Sequence, residues 1–313
     1  MKLFVSRALP DSVMRAARER FDVTLRPTTQ PMDADECRAG LREHDVILPT
    51  LGDAFGADVF GGELRARGLA NFGVGVNHID VAAARTAGLV VTNTPGAVTD
   101  ATADIALTLM LMAARRAGEG ERLVRSGRWE GWHPVQMLGL HLTGKTLGVV
   151  GMGRIGQAVA HRCRAGFAME VVFHNRSRKD VDGARQLGSV QEVCAAADVV
   201  VVAAPATPET HHIIDAGALG AMRPHAILVN IARGDLVDEE ALVAALEART
   251  IGGAGLDVYE HEPHVPERLR ALDNVVLLPH LGTAALEVRE AMGRMALDNA
   301  LAIAEGRAPP NPV

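Results

Sequence analysis

Leu147-Gly148-Val149-Val150-Gly151-Met152-Gly153-Arg154-Ile155-Gly156 is an apolar run that ends in G-x-G-x-x-G. Helical spacing follows over 157–164, and a second apolar run comes at 170–173. Strand, glycine turn, helix and strand in that order make a βαβ dinucleotide-binding unit. Each glycine has its own task. Gly151 permits the tight turn, Gly153 lets the backbone approach a pyrophosphate, and Gly156 lets helix and strand pack closely. The helix N-terminus then presents free N–H groups to the phosphates.

The second run ends in His174-Asn175-Arg176-Ser177-Arg178-Lys179. Asn175 lies 19 residues past Gly156, where an NAD-binding chain usually has an acid for the ribose hydroxyls. Losing the carboxylate removes a repulsive charge, and Arg176 with Ser177 can hold a 2′-phosphate. NADP(H) is therefore preferred over NAD, which stands as the alternative cofactor.

Outward from this unit, short β-branched runs alternate with helical segments along nearly the whole chain. Candidate strands lie at 3–6, 46–48, 89–92, 147–150, 170–173, 199–203, 227–230, 254–257 and 275–278. Asp238-Glu239-Glu240 opens a helix through 246, with acids in its first turn to complement the dipole. The alternation predicts an α/β fold with parallel sheets and helices on their faces. Thr94-Pro95-Gly96 breaks the first series, and Thr99-Asp100 opens a long helix to about Arg115. That helix is rich in Ala, Leu and Met and is expected to be buried on most sides. The stretch 118–143 has no strand pattern but holds both tryptophans, Trp129 and Trp132. Aromatics are enriched at interfaces, so an arm wrapping a partner subunit is expected there.

Composition narrows the function classes. The 313 residues suffice for about two domains. Aromatic residues make up only 3%, so the core must be built from Ala, Val, Leu and Ile. A formal net charge of −6 argues against a general nucleic-acid or anionic-membrane binder. Cys37, Cys163 and Cys194 are too widely spaced for a clip, as a reducing compartment permits. The opening residues 1–6 form too short an apolar run for a signal peptide and read as a first strand. The run 105–114 is interrupted by Thr108 and falls short of the about 20 residues of a membrane span. A cytoplasmic protein is expected.

Three later segments bring reactive side chains to strand ends. Ile227-Leu228-Val229-Asn230-Ile231-Ala232-Arg233-Gly234 ends in an arginine. Gly255-Leu256-Asp257-Val258-Tyr259-Glu260-His261-Glu262-Pro263 ends in several acids, and Val275 to Gly282 places His280 directly beyond a strand. In open α/β sheets ligands bind outside the carboxyl ends of the strands. No His/Cys/Asp group has convincing metal spacing, and His78, His141, His211, His212 and His261 read as solvated or core residues.

These segments resemble the D-isomer-specific 2-hydroxyacid dehydrogenases, in particular the glyoxylate/hydroxypyruvate reductase branch. The resemblance includes Gly73-Val74-Gly75-Val76-Asn77-His78-Ile79-Asp80, Asn93-Thr94-Pro95-Gly96 and Thr99-Asp100-Ala101-Thr102-Ala103-Asp104, and it runs nearly the whole length. It implies two Rossmann-like domains: a split substrate-binding domain, 1–98 with 283–313, and an inserted dinucleotide-binding domain, 99–282, with the active site in the cleft between them. It also implies hydride transfer between a small 2-oxo acid and its D-2-hydroxy acid. Arg233 would grip the substrate carboxylate and polarise the 2-oxo group. His280 would donate the proton, and Glu262 rather than Glu260 would orient His280 and favour its protonated form. Val74 and Gly75 match a loop whose N–H groups meet the substrate carboxylate, and Asp257 and Thr102 lie by the nicotinamide. Arg154, Ile155, Ile231, Ala232 and Gly282 complete the implied cofactor contacts. Val76-Asn77 departs from the usual pattern of that loop, which bears on the shape of the substrate pocket. Trp132 would close a neighbouring subunit's pocket in a homodimer. The resemblance leaves other readings within one fold: a relative acting on 2-ketogluconate, formate or phosphite, or a corepressor-like nucleotide sensor without turnover. The chain ends at Val313 without an appended regulatory domain, so the longer phosphoglycerate forms do not fit.

Overall fold

A computed structural model describes residues 1–313. Chain contacts divide it into two units, 1–98 with 283–313, and 99–282. The first unit opens with β1 (Lys2–Val5), α1 (Asp11–Arg20), β2 (Asp22–Leu25), α2 (Ala34–Glu43), β3 (Val46–Leu48), β4 (Gly68–Ala70), α3 (Val81–Thr86) and β5 (Val90–Thr92). The second holds α4 (Thr99–Ala114), α5 (Ala117–Arg125), β6 (Thr146–Val150), α6 (Arg154–Phe167), β7 (Glu170–His174), β8 (Ala184–Gln186), α7 (Val190–Ala196) and β9 (Val199–Val202). It continues through α8 (Ala216–Ala221), β10 (Ile227–Asn230), α9 (Glu239–Glu247), β11 (Gly253–Leu256), α10 (Glu267–Arg270) and β12 (Val275–Leu277). The chain then returns to the first unit as α11 (Leu286–Ala304).

Both sheets are parallel throughout. The first runs β2-β1-β3-β4-β5 and the second β12-β11-β10-β9-β6-β7-β8. These are the two common doubly wound orders, each with one point where the order reverses: β1/β3 in the first sheet, β6/β9 in the second. Val199–Val202 is buried at all four positions, as a central parallel strand covered on both faces requires. Its side chains feed two apolar layers. Val200 and Val202 pack with Leu219, Leu228 and Leu242, and Val199 and Val201 pack with Leu109, Val149 and Phe173.

The expected strands form with ends moved by at most one residue, and three more complete the sheets. Gly68-Leu69-Ala70 has no β-branched residue to signal β4, yet it is fully buried. A Cβ on Gly68 would lie 2.3 Å from the Val90 carbonyl oxygen, so only glycine allows that approach. The strands β2 and β8 are half-solvated sheet edges and therefore lack an apolar run. Helix α4 buries Thr102, Ala103, Ala106, Leu109, Met110 and Ala114 but leaves Leu111 exposed, so it is covered less completely than its composition predicts.

Cys37 belongs to the first unit, Cys163 and Cys194 to the second; all three are free and buried. Burial pushes each thiol up to about 12, with the charge of Asp53 adding to the effect at Cys37 and that of Asp215 at Cys194. No helix is long and apolar enough to cross a membrane.

Candidate active site

β6 delivers the chain to Gly151, whose φ is +98°. A Cβ there would lie 2.5 Å from the Ala204 backbone, so the turn needs glycine for both its conformation and its contact with the loop after β9. At Gly156 a Cβ would meet the Gly151 oxygen at 2.3 Å. Gly153 is different, because a Cβ there meets nothing within 4 Å. Gly153 also has no side chain to cap α6, and the first turn of that helix contains no acid. The unpaired N–H groups at Arg154 and Ile155, with the positive end of the dipole, therefore border open space. Room and donor set both fit a dinucleotide pyrophosphate, at the point where the sheet order reverses.

At the end of β7, Asn175 is half-buried while Arg176, Ser177 and Arg178 are exposed. The Asn175 Nδ2 donates to the Ser177 carbonyl at 3.0 Å and to the Ser177 Oγ at 3.1 Å. Ser177 thus accepts within the loop and keeps its own hydroxyl proton for another acceptor. Two exposed guanidinium groups and a hydroxyl on this loop are groups that can meet a phosphate.

The reactive residues sit on loops after β10, β11 and β12. Asn230, buried at the end of β10, shapes the first. Its Nδ2 donates to the Arg233 carbonyl at 2.8 Å and its Oδ1 accepts from the Ala232 N–H at 3.1 Å. Gly234 then passes so close to Tyr259 that a Cβ would lie 1.9 Å from its carbonyl carbon. The Arg233 Nη1 donates to the Ala232 carbonyl at 2.7 Å, but its Nε is buried and has no partner. Burial lowers the guanidinium from its ordinary value, with the charges of Glu262 and Asp235 opposing that shift. A guanidinium with unused donors can make a two-point contact with a carboxylate.

Glu262 faces His280. The imidazole Nδ1 lies 2.9 Å from Oε2 and 3.2 Å from Oε1, and Oε1 also accepts the Tyr259 N–H at 3.1 Å. Burial pushes the Glu262 carboxyl up, but the hydrogen bond and charge of His280 outweigh it, helped by the Tyr259 N–H and the charge of Arg233. The net effect holds it below the usual carboxylate range. With Nδ1 engaged, Nε2 has no protein partner and can meet a substrate oxygen.

Asp257 builds the turn that carries His280. Its Oδ1 accepts the Leu281 N–H at 2.6 Å, its Oδ2 the Gly282 N–H at 2.8 Å, and its carbonyl the His280 N–H at 2.9 Å. His280 takes a left-handed φ of +55° there. Burial raises the Asp257 carboxyl from its ordinary value against the pull of the two N–H donors. Thr102 on α4 donates to the Gly282 carbonyl at 3.2 Å, tying the turn to the long helix. Ile231 is buried and Ala232 half-buried beneath the Arg233 loop.

In the first unit the loop after β4 is held by its carbonyls. Asn71 Nδ2 donates to those of Gly73 and Gly75 at 3.2 and 3.0 Å, and Asn93 Nδ2 to that of Val74 at 2.9 Å. The Thr94 N–H adds a second bond to Gly73 at 3.0 Å. In a trans peptide the N–H points opposite to the carbonyl, so the N–H groups of Val74 and Gly75 turn away from these anchors.

The family model for the D-isomer specific 2-hydroxyacid dehydrogenase, NAD binding domain, matches residues 107–282. The chain is 43% identical over 317 residues to a glyoxylate reductase of Thermococcus kodakarensis, covering 99% of this chain and 95% of the relative. It superposes with a TM-score of 0.94 on a Thermus thermophilus crystal structure at 45% identity, covering both chains fully. An NADPH-dependent glyoxylate/hydroxypyruvate reductase from Sinorhizobium meliloti, solved with NADP and malonate, superposes with a TM-score of 0.86 at 35% identity, covering 100% of this chain and 96% of that one. This chain belongs to the D-isomer-specific 2-hydroxyacid dehydrogenases.

In this dehydrogenase the two acids of the β11 loop have different partners. Glu262 holds His280, whereas Glu260 Oε1 lies 2.9 Å from the Nε2 of His212. His212 is thus neither simply solvated nor core, and its ring stacks on that of His211 with centroids 3.9 Å apart. His211, His212 and Glu260 bring ligand-type atoms within 4.8 Å of one another, a grouping that sequence spacing hides because 48 residues separate His212 from Glu260. Trp132 is 79% exposed; with Val124, Trp129, Val135 and Leu138 it makes an apolar surface along α5 and the irregular segment after it. Asn71, Asn93 and Asn230 escaped sequence reasoning, since side-chain amides that anchor loop carbonyls leave no periodic signal.

Proposed function

We propose that the protein reduces glyoxylate, hydroxypyruvate or a related small 2-oxo acid to the D-2-hydroxy acid, with NADPH preferred over NADH. The observation that carries this reading is the Glu262–His280 contact, which leaves Nε2 of the imidazole as the free proton donor. In this reading 99–282 is the cofactor domain, and 1–98 with 283–313 is the substrate domain. The bound nicotinamide supplies the hydride to the 2-oxo carbon. Gly151, Gly153, Arg154, Ile155 and Gly156 hold its pyrophosphate, and Asn175, Arg176 and Ser177 its 2′-phosphate. Thr102, Ile231, Ala232, Asp257 and Gly282 line the nicotinamide end.

The guanidinium of Arg233 grips the substrate carboxylate and stabilises negative charge developing on the 2-oxo oxygen. Val74 and Gly75 of the substrate domain offer backbone N–H groups to a substrate carboxylate. His280 Nε2 gives that oxygen its proton, and Glu262 holds the ring in place through Nδ1 and balances the imidazolium charge. Oxidation in reverse returns the proton to His280. No step requires a metal.

The buried thiols accord with a cytoplasmic protein, and the exposed apolar arm with a homodimer in which Trp132 closes the partner's pocket. An unchanged KM in Trp132→Ala would remove that last role.

The test follows the near-ultraviolet absorbance of reduced nicotinamide with NADPH or NADH and each 2-oxo acid. Turnover favouring NADPH and lost in His280→Ala is expected. NADPH binding without turnover of either acid would sink the substrate assignment and favour a sensing role.

A further inference from the structure

The side chains proposed to read the 2′-position lie on 174–179, but the residue that shapes this segment lies outside it. Gln186 ends the edge strand β8 and is half-buried. Its Oε1 accepts the Lys179 N–H at 2.8 Å, and its Nε2 donates to the carbonyls of Asn175 at 3.0 Å and Ser177 at 3.2 Å. One primary amide thereby uses both donors and an acceptor on three alternate backbone positions.

Two consequences follow for the groups that face outward. Arg176, Ser177 and Arg178 remain exposed while the backbone around them is fixed. Lys179 is set at the far end of the clamp, and its Nζ reaches back to the Met152 carbonyl at 3.0 Å, inside the glycine turn. The segment that meets the 2′-position and the turn that meets the pyrophosphate are thus joined through one residue. Arg176 also has a competitor for its charge in Glu209. That carboxylate is held below its ordinary range chiefly by the Thr207 hydroxyl and a backbone N–H, and to a lesser extent by Arg176. A backbone free to move would let the pair close at the expense of a phosphate.

We propose that Gln186 is a positioning residue for dinucleotide selectivity: its clamp on residues 175, 177 and 179 presents Arg176 and Ser177 to the 2′-phosphate. The inference rests on the NADPH preference proposed above. It touches no atom of the reacting centre, so its effect belongs in coenzyme binding.

The experiment measures kcat and KM for NADPH and NADH in the wild type, Gln186→Leu, Gln186→Glu and the neighbouring control Arg185→Ala. Gln186→Leu removes all three bonds, and Gln186→Glu keeps the acceptor while setting a carboxylate against two carbonyls. Both variants are expected to lower the NADPH:NADH ratio of kcat/KM about tenfold, through KM for NADPH and with kcat little changed. Arg185→Ala should leave the ratio where it was. A wild type without NADPH preference overturns the functional reading and this inference with it. A wild type that prefers NADPH, with either folded Gln186 variant retaining the full ratio, overturns the inference alone. An equal loss with both coenzymes also overturns it, by showing general collapse of the segment; thermal unfolding identifies any variant that has not folded, and the other decides.

Discussion

Each unit begins its doubly wound sheet with a strand, a turn and a helix, but the two turns differ in what stands at the helix start. In the first unit Pro10 precedes α1 and Asp11 supplies an acid in the first turn. In the second Gly153 precedes α6, no acid follows, and Arg154 is the first helical residue. Elsewhere Asp33, Asp80, Ser189, Asp215 and Asp238 close helix starts with a side-chain oxygen. The proposed phosphate site lies where compensation is withheld: the chain leaves this positive helix end open and compensates or caps those others.

The largest expected effect comes from giving the second turn what the first one has. Gly153→Asp meets no steric obstacle, since a Cβ there has nothing within 4 Å. It should fold normally yet weaken NADPH binding about tenfold to a hundredfold, because the carboxylate competes for the N–H groups and repels the phosphates. A fluorescence titration with NADPH measures this, and in it the reciprocal change, Asp11→Asn in α1, should leave the affinity unmoved. Equal losses in both variants would break the comparison.

A second, smaller effect depends on pH. The Glu262 carboxyl is held below its ordinary value in the folded protein. Its ionised form therefore adds stability above that ordinary value, and the contribution disappears as pH falls through the folded one. Glu262→Gln should lower the unfolding free energy at neutral pH, and the gap from wild type should close on acidification below 4.5. A gap that widens in acid would reverse the sign and remove the ion pair as its cause. The smallest change sharpens the contrast at α2, where Asp33 and Glu36 form a capping box. Asp33→Ala should cost about 1 kcal/mol in denaturant unfolding while leaving coenzyme binding intact.

The sequence made the second unit far easier to read than the first. Its strands carry long apolar runs, such as Val199–Val202, because both faces are covered. β4 and the edge strands β2 and β8 gave no such signal, for they rest on close backbone approach or on half-solvated pairing. Arg233, His280 and the acids after β11 drew notice because they follow apolar strands, the family resemblance singled out Glu262 among those acids, and the structure sets Glu262 against His280. The choice of Glu262 over Glu260 rested on the family resemblance, through the proline that follows Glu262, and the structure gives the two acids separate partners, His280 and His212, from elsewhere in the chain. Gln186 and Asn93 were equally silent: each acts through an amide whose importance exists only once remote carbonyls have been brought to it.

The three sealed thiols make the molecule its own gauge of opening. Burial raises each thiol well above its ordinary value, so an alkylating reagent finds little thiolate to attack in the closed fold. Labelling must then wait for the chain to breathe, and its rate counts those openings. Cys37 keeps time for one sheet, and Cys163 and Cys194 for the other. Mass spectrometry of the three labelled peptides, with and without coenzyme, would tell which half loosens first and which half the nucleotide quiets.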